Sequence, residues 1–267
     1  PKELEIPQLH RYLLGAIGPR PIAFASTIDA HGVPNLSPFS FFNVFSANPP
    51  IMIFSPARSG RTGATKNTLD NVKSVKEVVI NVVNHDIVQQ MSLSSSPYNP
   101  SIDEFVKAGL TPVNSDLIQP FRVKESPVQF ECKVNEIVEL GQGSGAGNLV
   151  ICEVVKIHIN EAVLDANGMI DQHKIDLVSR MGGNWYCRAD KNSMFEIQKP
   201  ITTIGVGVDQ LPEAIKNSSI LTGNDLGLLA SVETIPSGNS DGAANHQEAK
   251  DLLAKGNVES AWKVLLG

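Results

Sequence analysis

The chain has 267 residues, 42% hydrophobic and 19% charged, enough to bury a full core and typical of an ordinary globular protein. A formal net charge of −6 argues against nucleic acid or an anionic membrane as the main partner, because both need clustered Lys and Arg; a local basic site for a small anion stays open. The three cysteines, Cys132, Cys152 and Cys187, are scattered and form no CxxC pair, so neither a disulfide frame nor a metal site is expected. No apolar run nears the ~18 residues of a membrane span, and PKELEIPQ lacks a signal-peptide pattern, so the expected location is cytoplasmic.

Residues 8–15, QLHRYLLG, read as a short amphipathic helix ended by Gly15. A strand from Ile22 to Ile28, a tight turn over Asp29–Gly32 and a second strand from Val33 make a hairpin. The chain is then organised around residues 34–56, PNLSPFSFFNVFSANPPIMIFSP. Leu36, Phe39, Phe41, Phe42, Val44 and Phe45 supply apolar bulk, but Asn35, Ser37, Ser40 and Asn43 interrupt it without the clean alternation of a strand with one core face. Pro38 removes a ladder donor, so the segment should bend or run along an edge. Two readings stand: a wall for a flat, partly apolar ligand with hydrogen-bonding edges, or a bulged core strand whose polar groups bond local backbone.

Ile51–Ser55 is a third strand, after which ARSGRTGATKNTLDNV sets Arg58, Arg61 and Lys66 among hydroxyls and glycines. That composition fits an anion cradle, with a helix opening near Thr65 to aim its N–H groups at the anion; a solvated, turn-rich loop is the alternative. Ser74–Asn84 is a β-branched strand, 85–94 is helical in pattern, SSSPYNP is a loop, and DEFVKAGL is a short helix ending at Gly109. SPVQFECKVNEIVEL and NLVICEVVKIHI are two strands joined by GQGSGAG, whose spacing is not that of a dinucleotide fingerprint. Residues 176–189, DLVSRMGGNWYCRA, read as an irregular segment whose Gly182–Gly183 pair permits close backbone approach, with Trp185 and Tyr186 covering a surface or forming a packing clasp. From about Pro200 short helical repeats with Asn or Asp caps suggest a small helical appendage with IPSGNSDGAAN as a linker.

Taken in order, PRPIAFAST, NLSPFSFFN, NPPIMIFS, KNTLDNV, the DEF and GLTPV pair, SPVQFECK, VICEVVKIHI and RMGGNWY resemble the flavin reductase-like proteins of the FMN-binding split-barrel class, which includes flavoredoxin. The resemblance spans roughly residues 10 to 200. It implies a mainly β fold with helices (β+α), an antiparallel split β-barrel over 1–200, with the helical extension at 201–267, and a homodimer with FMN near the dimer boundary. It places the flavin against Asn35 to Asn43, with Ser37, Ser40 and Asn43 on ring edges or ribityl hydroxyls and Pro38 between them. Ser55 and Arg58 would lead to the phosphate, and Lys66, Asn67 and Thr68 fall where the family commonly has Lys-Asp-Thr. Asn67 in the middle position removes a negative charge from beside the phosphate.

No hydrolase constellation stands out, which suits a protein whose cofactor carries the electrons. The implied reaction is hydride transfer from NADH or NADPH to flavin N5, with reduced flavin serving a separate oxygenase or an electron-acceptor protein. His158, Tyr186 and Arg180 are the candidates for the open flavin face: His158 as a nicotinamide-pocket residue or a satisfied strand histidine, Arg180 as an anion holder or an ion-pair partner across the dimer. An FMN electron carrier without nicotinamide activity and a non-redox flavin-binding module remain the alternatives.

Overall fold

Residues 3–99, 102–197, 199–238 and 245–267 are described by a computed structural model. Two compact units divide the chain, Pro1–Phe195 and Glu196–Gly267.

In the first unit, helix α1 (Ile6–Ala16) starts with Pro7 in its first turn, where the absent N–H leaves no bond unmade, and buries none of its residues. Strands β1 (Ala23–Ile28) and β2 (Pro34–Phe39) form the expected hairpin, with Ala23 opposite Phe39 and Ile28 opposite Pro34. Its turn is fixed by Asp29, whose Oδ1 accepts from the backbone N–H of His31 (2.8 Å) and Val33 (2.9 Å), and by Gly32 at φ 83°. The chain then turns at Ser40 and Phe41 into a separate strand β3 (Phe42–Ala47), which pairs with β4 (Pro50–Phe54). Helix α2 (Asn67–Ser74), strand β5 (Glu77–Asn81) and helices α3 (Val88–Ser94) and α4 (Glu104–Ala108) follow, α4 ending at Gly109 with φ 64°. A two-residue pairing of β6 (Pro112–Val113) with β7 (Arg122–Val123) precedes the long hairpin of β8 (Val128–Glu139) and β9 (Asn148–Ile159). The segment expected to be irregular contains a small hairpin, β10 (Val178–Arg180) with β11 (Tyr186–Arg188).

Seven strands make one antiparallel sheet in the order β2-β1-β5-β8-β9-β4-β3. Its two edges, β2 and β3, are separated in the chain by only Ser40 and Phe41, a reach of a few ångströms per residue, so the sheet has to curl until its edges adjoin. Among the described residues no ladder joins β2 to β3, so the sheet is curled and open and not a closed barrel. The Ser55 N–H donates to the Phe41 carbonyl at 2.8 Å, which extends the β3–β4 pairing one step past Phe42 and Phe54.

Period-two alternation decides what each strand buries. Ala23 and Ala25, Met52 and Phe54, Val78 and Ile80, Cys132 and Val134, and Val150, Cys152 and Val154 face one core, joined by Leu69 and Val72 of α2. The opposite face of β1 and β2 sets Phe24 and Leu36 against Ile87, Met91, Phe105 and Ala108 from the α3–α4 region. Burying Phe24 or Phe54 completely contributes ~1.5–3 kcal/mol each.

The second unit carries helices α5 (Glu213–Lys216), α6 (Gly223–Leu229), α7 (His246–Leu253) and α8 (Val258–Leu266). Thr222 and Asp225 cap α6 reciprocally, and the side chains of Asn245 and Asn257 cap α7 and α8. Leu211, Ile215, Leu229, Leu253, Trp262 and Leu265 form its core, and the Trp262 indole N–H donates to the Leu229 carbonyl at 3.2 Å. Residues 239–244 of the linker-like stretch, Pro100 of the SSSPYNP loop and the first two residues lie outside the described residues. No described helix is long and apolar enough to cross a membrane.

Candidate functional site

Where β2 turns towards β3, a cleft of ≈ 340 Å³ opens. One wall is the chain from Ser37 through Pro38, Phe39 and Ser40 to Phe41. Ser55 and Ala57 beyond β4, Lys66 ahead of α2, and Met91 and Ser95 from the α3 region close another side. The remainder comes from His10 and Leu14 of α1, Arg20 and Ile22 at the entry to β1, and Arg180 and Tyr186 of the β10–β11 hairpin. Arg20, Lys66 and Arg180 are cationic, and no Asp or Glu lines the cleft among the described residues. In a chain of net charge −6, that segregation makes the cleft a place for an anion.

The cations are held differently. Arg20 is buried, 6% exposed, and donates from Nη1 to the Leu14 carbonyl (2.8 Å) and the Ile17 carbonyl, and from Nη2 to the Met181 carbonyl (2.8 Å). Burial, with the neighbouring Arg180 charge, pulls its pKa below the ordinary arginine value. Arg180 lies over the Tyr186 ring, 4.6 Å from Cζ to the centroid, and donates to the Gly183 carbonyl at 2.7 Å. The two arginines also pair backbone to backbone at 2.9 and 2.8 Å. Gly182 allows the close approach expected of the glycine pair: a Cβ there would lie 3.1 Å from the Gly15 Cα of α1. Lys66 is the N-cap residue of α2 and makes no side-chain cap, so its ammonium stands beside the positive end of a helix, where an anion is favoured. The Ser55 hydroxyl accepts from the Asn148 N–H at 3.0 Å, and a Cβ at Gly147 would come within 3.0 Å of it, which accounts for a glycine at the end of GQGSGAG.

Of the residues expected to form the site, Ser37, Pro38, Ser40, Ser55, Lys66, Arg180 and Tyr186 come together here. The others lie outside this lining. Asn35 and Thr68 are buried and bonded to each other, Nδ2 to Oγ1 at 2.9 Å, with Thr27 nearby. Asn43 is exposed on β3 and its Oδ1 accepts from Val44 N–H. Asn67 opens α2. Arg58 reaches the β8–β9 hairpin, bonding Glu139 (3.3 Å) and Gln142 (2.9 Å). Lys73 and Gln142, then Arg58, hold the Glu139 carboxyl down at about 2. His158 bonds through Nε2 to Glu131 Oε1 at 2.6 Å. Burial pushes the Glu131 carboxyl up, but the Asp116 N–H, His158 and the Leu117 N–H more than offset it, so it stays ionised below its ordinary value.

Sequence reasoning did not single out His10, Leu14, Arg20, Met91 or Ser95. The available signal for Arg20 was a lone cation between two prolines, immediately before a strand buried at every position.

The first unit is thus a curled antiparallel sheet with a cationic, partly aromatic cleft where β2 turns towards β3. The chain belongs to the flavin reductase like domain family, whose model matches residues 16–175. An uncharacterized protein of Aquifex aeolicus is 35% identical over 189 residues, covering 70% of this chain and 93% of that protein. Among solved structures, nitrilotriacetate monooxygenase component B from Bacillus cereus is 31% identical with a TM-score of 0.68, covering 74% of this chain and 96% of its own. A Shewanella frigidimarina protein assigned to the flavin reductases, with a split barrel domain, is 27% identical with a TM-score of 0.63, covering 74% and 96%. The family match ends before the helical unit begins.

The donor set fits a phosphorylated flavin: Lys66 and a helix N-terminus for a phosphate, serine hydroxyls for ring edges and a sugar-like chain, Phe41 and Tyr186 for a flat ring, and arginines for negative charge.

Proposed function

We propose that this chain is an FMN-binding oxidoreductase, an NAD(P)H-dependent flavin reductase acting as a homodimer with FMN near the dimer boundary. The observation that carries the reading is the cleft itself, in which Arg20, Lys66 and Arg180 meet serine hydroxyls and aromatic rings with no carboxylate among the lining residues. The chemistry a bound flavin supplies is two-electron hydride exchange with a reduced nicotinamide. The chain's part is binding and orientation. Lys66 and the α2 N-terminus neutralise the phosphate, Ser37, Ser40 and Ser55 fix the ring and ribityl orientation by hydrogen bonds, and Pro38 and Phe39 form an apolar floor that excludes water. Arg180, braced over Tyr186, guides the anionic groups of the nicotinamide donor to the open side. A neighbour that is one component of a monooxygenase supports an oxygenase as the consumer of reduced flavin.

The test is the absorbance spectrum of the dialysed protein after FMN loading, followed by anaerobic NADH and then NADPH. Rapid bleaching by either donor is expected. Retained flavin that neither donor bleaches would replace the reductase with an electron carrier, and failure to take up FMN would remove the flavin reading.

A further inference from the structure

Arg20 carries a charge that no carboxylate of the described residues neutralises. Its three acceptors, the carbonyls of Leu14, Ile17 and Met181, are neutral, and its buried Nε has no partner. Two of those carbonyls belong to the C-terminal end of α1, where the helix dipole is negative, and the third belongs to the turn between β10 and β11. A side chain 160 residues from Arg180 in sequence thus ties the two elements that carry His10, Leu14, Arg180 and Tyr186 into one wall. A buried cation without a counter-ion is costly, and it is tolerated where a ligand supplies the opposite charge. Because Arg20 itself lines the cleft, its field acts on whatever sits there, in surroundings less polar than water.

We propose that Arg20 is a positioning residue that also sets the charge preference of the cleft: it clamps α1 to the β10–β11 turn, and its charge, paired with no carboxylate of the described residues, makes the site bind reduced, anionic flavin more tightly than oxidised flavin. The proposal rests on the flavin reading above. The flavin phosphate is present in both redox states, so its attraction to Lys66 cancels in the ratio of the two affinities. What remains in that ratio is the response to charge gained by the ring.

The experiment measures dissociation constants of oxidised FMN and of dithionite-reduced FMN, under nitrogen, for the full chain and for Arg20→Gln and Arg20→Lys. Wild type is expected to bind the reduced form more tightly. Arg20→Gln is expected to lower the oxidised-to-reduced ratio of dissociation constants roughly tenfold, the effect of one charge acting over ~10 Å at an effective dielectric of about 20. For a two-electron couple that equals a drop of about 30 mV in the potential of the bound flavin. Arg20→Lys keeps the charge but not the planar fork, so both affinities fall together and the ratio survives. An unchanged ratio in Arg20→Gln overturns the proposal and leaves Arg20 a clamp alone. Wild type preferring oxidised FMN, or showing no preference, overturns it without any variant, which covers the case in which Arg20→Gln does not fold. Wild type that binds neither form defeats the flavin reading itself, a different result from binding without discrimination.

Discussion

Strands β2 and β3 form the two edges of the sheet, two residues apart in the chain, and only one of them is covered. β2 buries Asn35, Leu36 and Phe39; the Leu36 N–H donates to Glu104 of α4 at 3.1 Å, and the Asn35 amide is bonded to Thr68. β3 leaves Val44 60% and Phe45 63% exposed, and its pairing with β4 slips between Val44 and Ser46. Both strands are rich in apolar residues. The difference comes from what the rest of the chain brings to each: α3 and α4 pack on β2, whereas Phe45 stays largely exposed. An edge with such residues in water is a surface for another chain, while an edge met by a carboxylate and a helix is closed to pairing.

The largest effect should come from breaking the covered side. Leu36 is fully buried among Phe24, Met91 and Phe105, so Leu36→Ala should cost ~2–5 kcal/mol in urea unfolding. Val44→Ala, on the exposed edge strand β3, should stay within about 0.5 kcal/mol. Equal losses at the two positions would mean that β3 is covered in solution.

A middle-sized effect tests what closes the edge. Glu104→Ala leaves the Leu36 N–H buried without an acceptor and should cost about 1–3 kcal/mol, whereas Glu104→Gln keeps an acceptor oxygen. Burial pushes the Glu104 carboxyl up, against the pull of the Leu36 N–H. A carboxyl held above its ordinary value holds its proton more tightly in the folded state. Its stabilising contribution is therefore present below the ordinary carboxylate range and fades as pH rises through the folded value. Glu104→Gln should accordingly gain on wild type as pH is raised from about 4 to 7, read as the difference in urea midpoints. A difference that shrinks over that range would mean the carboxylate is better satisfied than its burial implies.

Much of this frame is legible in the sequence because it rests on local chemistry. Asp29 and Gly32 announce their turn, Gly109 its helix stop, and Pro38 an edge strand that it does occupy, opposite Phe24. The cleft is legible only in part, because a side chain's type is local but its direction is set by register and long-range packing. Of the three cations in ARSGRTGATK, Lys66 reaches the cleft, while Arg58 is drawn to Glu139, 81 residues on. His158 in VKIHI reads either as a nicotinamide-pocket residue or as a satisfied strand histidine, and only the β8–β9 register, which carries it to Glu131 on the neighbouring strand, shows its partner. The wall formed by α1 depends on Gly182 meeting Gly15 and on Arg20 reaching Met181, contacts that no window of sequence contains.

The smallest effect on the fold should be the most informative about the uncovered edge. Phe45 contributes little burial within its own chain, so Phe45→Ser should shift the unfolding of an isolated chain by no more than about 0.5 kcal/mol. If β3 and the unburied face of α1 form the contact of the proposed homodimer, the same substitution removes a large aromatic from that contact. Sedimentation velocity should then show wild type as a dimer and Phe45→Ser shifted towards monomer at the same concentration, with FMN affinity falling in parallel because Phe41, next to β3, lines the cleft. A monomeric wild type would remove the homodimer. A Phe45→Ser protein that stays dimeric with unchanged affinity would place the subunit contact on another face and leave the cleft to be completed by its own chain.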